Sequence, residues 1–253
     1  MRIMEGVETS HDSVEGGPAR FNTTHWSVVL AAGGSDSRLA APALERLCAA
    51  YWYPLYAYVR RRGHDMHEAQ DLTQGFFAQL LEHHSLDGVV PGRARFRSFL
   101  LVALKNHLAD DHDRKQAQKR GGGKAIISFD AQAAEQRYQF EPAHAETPDK
   151  LYERRWAITL LDRTLEGLER EFVQAGKGPL LEQLREFLLE GSTERTYAQA
   201  GAEIGMTEGA VKKTVQRMRQ RYRAILREEI GHTVATVSEV EQELHHLWSV
   251  LAA

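Results

Sequence analysis

A chain of 253 residues is long enough for one large domain or two small ones, each with a core of its own. With 42% hydrophobic and 26% charged residues and no apolar run near the roughly 18 residues of a membrane span, the sequence excludes a membrane-embedded protein. Its single cysteine, Cys48, excludes an internal disulfide and a cysteine-rich zinc site. The N-terminal MRIMEGVETSHDSVEGGPARF has early acids, Gly and Pro where a secretory signal needs a basic start and an apolar core, so a cytoplasmic protein is expected.

The net charge of −3 conceals a division along the chain. From Lys212 to Arg227 there are seven Lys or Arg and no acid, and from Arg93 to Lys124 nine basic residues stand against Asp110, Asp111 and Asp113. Two basic patches on an acidic background suit local contact with a polyanion without indiscriminate binding by the whole surface.

The predicted elements are helices. Residues 1 to about 20 lack periodicity and are expected to be disordered, and Thr24 is placed to cap a short helix with Trp26, Val29 and Leu30, so that residues 1–40 form an N-terminal extension. Three apolar helical faces follow within residues 41–122: Leu44, Leu47, Cys48, Tyr51, Leu55 and Tyr58; then Ala69, Leu72, Phe76, Leu80 and Leu81; then Phe96, Phe99, Leu100, Ala103, Leu104 and His107. They predict a small bundle that ends at the glycines after Arg120. Residues 123–150 read as an irregular, acidic linker. Helical periodicity returns at Leu151, Trp156, Leu160, Leu161, Leu165 and Leu168, and again from Leu180 to Leu188, within a second bundle over residues 151–230. The fold class is therefore all-α, two small helical bundles joined by an irregular linker.

Inside the second bundle, TYAQAGAEIGMTEGAV predicts a helix-turn-helix: a short helix with Tyr197, Ala200 and Ile204 inward, a turn at Gly205 and Met206, and Thr207 capping the next helix. At about 100° per residue, Val211, Val215, Met218, Tyr222, Ile225 and Leu226 fall on one stripe, and the opposite face is almost wholly basic. Solvated surface helices normally mix both signs, and this one does not. The second helix of such a motif enters a DNA major groove, which places Thr207, Glu208, Lys212, Lys213 and Gln216 near base edges or phosphates and Arg217, Arg219 and Arg221 on the backbone.

YAQAGAEIGMTEGAVKKTVQRMRQRYRAILREE resembles the promoter-binding C-terminal domain of extracytoplasmic-function sigma factors, bacterial initiation subunits of the sigma-70 family. About 90 residues upstream, EAQDLTQGFFAQLLEH and FRSFLLVALKNHLADDHDRKQ resemble the two signature helices of that family's N-terminal domain, in the right order and spacing. The resemblance spans roughly residues 41–120 and 151–229 and implies a function: binding core RNA polymerase and directing it to promoters through minus-10 and minus-35 elements. It implies that Asp71, Leu72, Gln74, Gly75, Phe77, Gln79 and Leu80 dock on the clamp helices of the polymerase largest subunit, with Phe76 in the core, and that the C-terminal domain meets the flap and the minus-35 duplex. It implies a melted minus-10 strand held by a pocket between Ser85 and Arg97 and lined by Arg93, Arg95, Arg97, Lys105, Asn106, Arg114 and Lys115, where stacking and basic contacts hold splayed bases. No cofactor, metal or catalytic residue is implied.

The chain departs from the family in a longer segment between linker and motif, and in a C-terminal extension over residues 231–253. There Val237, Val240, Leu244, Leu247, Trp248 and Leu251 share a helical face. The extension reads either as a helix packed on its own domain or as a regulatory segment covering a polymerase- or DNA-binding surface, self-inhibition in place of, or beside, an anti-sigma factor. Two readings from other classes compete. His107, Asp110, Asp111, His112 and Asp113 are rich in ligand atoms, but a helix aims them apart, which argues against a metal enzyme. A stand-alone regulator would use the same helix-turn-helix to bind duplex DNA as a dimer, without polymerase.

Overall fold

The computed structural model describes residues 50–82, 95–117, 131–141, 146–188, 195–234 and 236–252. The expected helix at Trp26, Val29 and Leu30, the first residues of the following helix and the loop from Ser85 to Ala94 lie outside these. The fold is all-α, with no strand among the described residues.

The elements in chain order are α1 (50–61), α2 (Met66–Glu82), α3 (Phe96–Ala117), α4 (Ala131–Gln139), α5 (Pro148–Gln174), α6 (Gly178–Leu184) continued by a 3-10 turn (Arg185–Phe187), α7 (Tyr197–Ile204), α8 (Glu208–Gly231) and α9 (Val237–Leu251). Their ends follow local chemistry. α5 starts at Pro148, whose missing N–H costs nothing in a first turn, behind Thr147, whose hydroxyl accepts from the Lys150 N–H. At the start of α7 and of α9, Thr196 with Gln199 and Thr236 with Glu239 form reciprocal capping boxes.

Two apolar cores form, and the first draws on distant stretches of sequence while the second lies within one. The first joins α1, α2 and α3 to the N-terminal half of α5 (Leu151, Tyr152, Trp156, Leu160), the end of α8 (Leu226, Ile230) and α9 (Val240, Leu247). The second packs Leu168 of α5 and Val211, Val215, Met218 and Ile225 of α8 against α6, the 3-10 turn and α7. α5 and α8 run antiparallel along each other and belong to both cores, with Tyr222 donating to the Leu161 carbonyl and Arg221 held by Glu171. Because α5 has 27 residues, it is about 40 Å long, enough to span both cores.

Within the segment expected to be irregular, AQAAEQRYQ is helix α4. Its residues are good helix formers, but it has almost no apolar stripe to reveal it. Ala134 is its one buried apolar side chain among the described residues, and polar groups do the rest: the Glu135 carboxylate takes Arg60 Nη2 at 2.8 Å and Nε at 3.0 Å and a bond from the Tyr56 hydroxyl. The Arg60 hydrogen bonds hold the Glu135 carboxyl below the usual carboxylate range.

The chain reverses between α7 and α8 in a tight turn. Gly205 has φ of 70°, a left-handed conformation that a side chain disfavours, and its N–H bonds the Gly201 carbonyl. Gly201 itself permits the close approach: a Cβ there would stand 2.5 Å from the Met206 carbonyl oxygen. Gly201→Ala is therefore expected to cost about 1–3 kcal/mol by overpacking, read as a lowered midpoint in denaturant, and an unchanged midpoint would contradict the tight turn.

Candidate nucleic-acid interface

The turn fixes how α8 meets solvent. Thr207 caps it by accepting from the Ala210 N–H, while Val211, Val215 and Met218 are fully buried against α7 and α6. The opposite side of the first three turns is exposed: Glu208, Lys212, Lys213, Gln216 and Arg217. Glu208 and Lys212 pair at 2.6 Å one turn apart, and the Lys212 ammonium stands 5.9 Å from the Tyr197 ring centroid on α7. The N–H groups at the helix start carry partial positive charge, so cation and dipole reinforce each other at this end.

Two of the expected backbone contacts have internal partners instead. Arg221 binds the Glu171 carboxylate with Nε at 2.7 Å and an Nη at 2.5 Å, and reaches Glu228 at 3.0 Å, so it ties α8 to α5. These bonds hold the Glu171 carboxyl low. Arg219 donates to the Phe187 carbonyl at 3.0 Å and anchors the 3-10 turn. Both lie past the first three turns, where the basic face rotates onto α5 and α6.

Around α2 the expected docking residues divide by burial. Leu72, Phe77 and Leu80 belong to the first core, with Phe77 at 0% exposure, its ring 5.9 Å from Trp52 and 5.3 Å from Phe76. Phe76 is also buried, as expected. Asp71 is exposed, and Gln74, Gly75 and Gln79 are half-buried, with Gly75 and Gln79 beside His107 of α3. Gln79 there accepts or donates at 2.8 Å to His107 Nδ1, over a cleft of about 170 Å³ that Asn106 and Asp110 also line.

At the start of α3 the expected strand-lining arginines are covered by α9. Arg97 is 6% exposed, and its Nε donates at 2.8 Å to Glu243, itself 1% exposed. Its other arm meets Glu153 of α5 at 2.5 and 2.6 Å, and the guanidinium lies 5.0 Å from the Trp156 ring. Arg95 completes the cluster with Nε 2.6 Å from Glu243 and an Nη bond of 2.9 Å to Gln242. His246 of α9 closes it by bonding Glu153 at 2.9 Å. Lys105, one face away, bonds Asp149 at 2.5 Å, which raises its pKa, while Asn106 is exposed. Arg93 and the side chains of Arg114 and Lys115 lie outside the described residues.

No family model, curated protein or solved structure matches this chain. Among the described residues, no group of three or more His, Cys, Asp or Glu is placed to hold a metal ion, and no helix is long and apolar enough to cross a membrane.

The residues that sequence reasoning missed are the carboxylates Glu243 and Glu153. A signal for Glu243 existed. It sits between Val240 and Leu247 at steps of three and four, in the middle of a face that is otherwise apolar, and an acid there needs a buried cation. The inward face of α9 is accordingly turned toward Glu243, and Val237, Trp248 and Leu251, expected on the packed face, are 41%, 54% and 37% exposed.

Proposed function

We propose that this chain is a bacterial transcription initiation factor that joins core RNA polymerase and directs it to promoters, acting in the cytoplasm. The observation that carries the reading is the exposed, predominantly basic N-terminal face of α8 behind a capped, left-handed turn. The short capped α7, the left-handed Gly205 and the capped α8 support the reading of a helix-turn-helix, in which Thr207, Glu208, Lys212, Lys213, Gln216 and Arg217 would face a minus-35 duplex. The upstream helices α2 and α3 serve the polymerase and the melted minus-10 strand, through Asp71, Gln74, Gly75 and Gln79 on one and Arg95, Arg97, Lys105 and Asn106 on the other. The reaction belongs to the polymerase; this chain supplies recognition.

The deciding experiment is transcription from a promoter library with purified core enzyme, with and without the protein. Specific starts that appear only on addition support the reading. A second reading, a stand-alone duplex-binding regulator, is favoured by one observation: the α8 face is open while Arg97 is buried. Tight, polymerase-free binding to a palindromic site with no new starts would select it.

Salt dependence separates contact from scaffold along α8. Arg217→Ala should reduce the slope of log affinity against log salt by about 0.9, one released counterion's share. Arg221→Ala should leave that slope unchanged and lower thermal stability slightly, since its partner is Glu171. Equal slope changes from both variants, measured by duplex binding at several salt concentrations, would contradict this division.

A further inference from the structure

We propose that α9 is an internal latch whose Glu243 carboxylate takes the place of nucleic-acid phosphate on Arg95 and Arg97. The inference rests on the reading of α3 as a single-strand surface and says how that surface is regulated: by a segment of the same chain, released when polymerase or a regulator competes for it.

The geometry is that of an anion site already filled. Two guanidinium groups, Arg95 Nε at 2.6 Å and Arg97 Nε at 2.8 Å, converge on the oxygens of one carboxylate that is 1% exposed. Paired N–H donors on a planar fork recognise carboxylate and phosphate oxygens alike. Arg97 thus cannot meet a DNA strand while α9 is docked.

The docking is also built to be reversible. A buried ion pair gives back most of its attraction as desolvation cost, so it specifies a position more than it strengthens it. Its outer edges are exposed pairs, Arg227 with Glu241 and Arg95 with Gln242, which contribute little each. α9 is a separate unit, with its own capping box after the turn at His232 and Thr233. Finally, α9 packs Val240 and Leu247 inward but leaves Val237, Trp248 and Leu251 uncovered along one edge while burying Glu243, a mixed face unlike the wholly apolar one of a permanently packed amphipathic helix.

The test uses the full chain and run-off transcription with core polymerase at limiting factor concentration, on a promoter taken from the library selection. Glu243→Gln keeps the shape and removes the charge, and it should raise transcript yield by about tenfold or more if the open state is a tenth of the population or less. Glu241→Ala combined with Gln242→Ala loosens only the exposed edge and should give about twofold. Helical circular dichroism accompanies both; if Glu243→Gln fails to fold, the exposed double variant decides. Starts with the wild type but no increase with a folded variant overturn the latch and leave the initiation reading intact. No factor-dependent starts from any of the three proteins overturn the initiation reading, and the latch with it. Starts that appear only with the variants support both.

Discussion

Glu243→Ala should lower the thermal midpoint of the protein by about 10 °C, the effect of losing roughly 3–5 kcal/mol from a chain of this size. The cost comes from what remains. Arg97 is 6% exposed beneath α9, and without Glu243 its guanidinium keeps only Glu153 in a place that water scarcely reaches. The loss has a ceiling, because α9 can undock and let Arg97 be solvated, so the measured value reports whichever is smaller, the unpaired charge or the docking energy of α9. The double variant Arg97→Met with Glu243→Leu tells the two apart. Removing both charges leaves an apolar pair against Trp156, where a thioether suits the aromatic face, while Glu153 keeps His246 and Arg95 is partly solvated, so the double variant should unfold within about 1 kcal/mol of the wild type. A single variant that melts like the wild type would show that the pair contributes neither stability nor position, and a double variant as unstable as the single would place the effect in packing.

The same pair shows where the sequence was legible and where it was not. Helix periodicity in α2, α3, α5 and α8 is strong enough to give the all-α class and most of the buried stripes, since Leu72, Phe76 and Leu80, or Val211, Val215 and Met218, repeat at the helical step and nothing else explains them. The structure sets Arg97 on the inward face, in line with Leu101, Leu104 and Leu108, where the sequence reading assigns it to the melted minus-10 strand. Its charge argued for solvent, and only a partner more than a hundred residues away resolves the conflict. That partner lies on a helix whose docking no local pattern encodes. α4 was hidden for the opposite reason: its contacts are made by Glu135 and Arg137 rather than by an apolar stripe, so composition read it as linker. Arg219 and Arg221 share a basic stretch with Arg217, yet the 3-10 turn and α5 hold those two while Arg217 stays exposed, and that depends on the antiparallel pairing of two helices 50 residues apart at the Arg221 to Glu171 contact. Local structure follows local sequence, whereas the division of a charged face into contact and scaffold follows tertiary packing.

Phe77→Ala should cost about 3–5 kcal/mol, the usual effect of emptying a large aromatic site in a packed core. Phe77 has no exposed surface, and its ring rests between Trp52 of α1 and Phe76 of its own helix, so a smaller side chain leaves a cavity that α1 and α2 can close only by moving together. The result bears on function because Phe77 is among the residues that the family resemblance assigns to polymerase. If it serves the core, binding to polymerase and resistance to denaturant fall together, and the loss of binding is recovered when the folded fraction is restored by lower temperature. Asp71→Ala gives the contrast. Asp71 is exposed on the same helix, so its removal should change stability by no more than about 0.5 kcal/mol while weakening polymerase binding. A Phe77→Ala protein that unfolds like the wild type yet no longer binds polymerase would place Phe77 at the interface, and would require α2 to turn its Phe77 edge outward on binding.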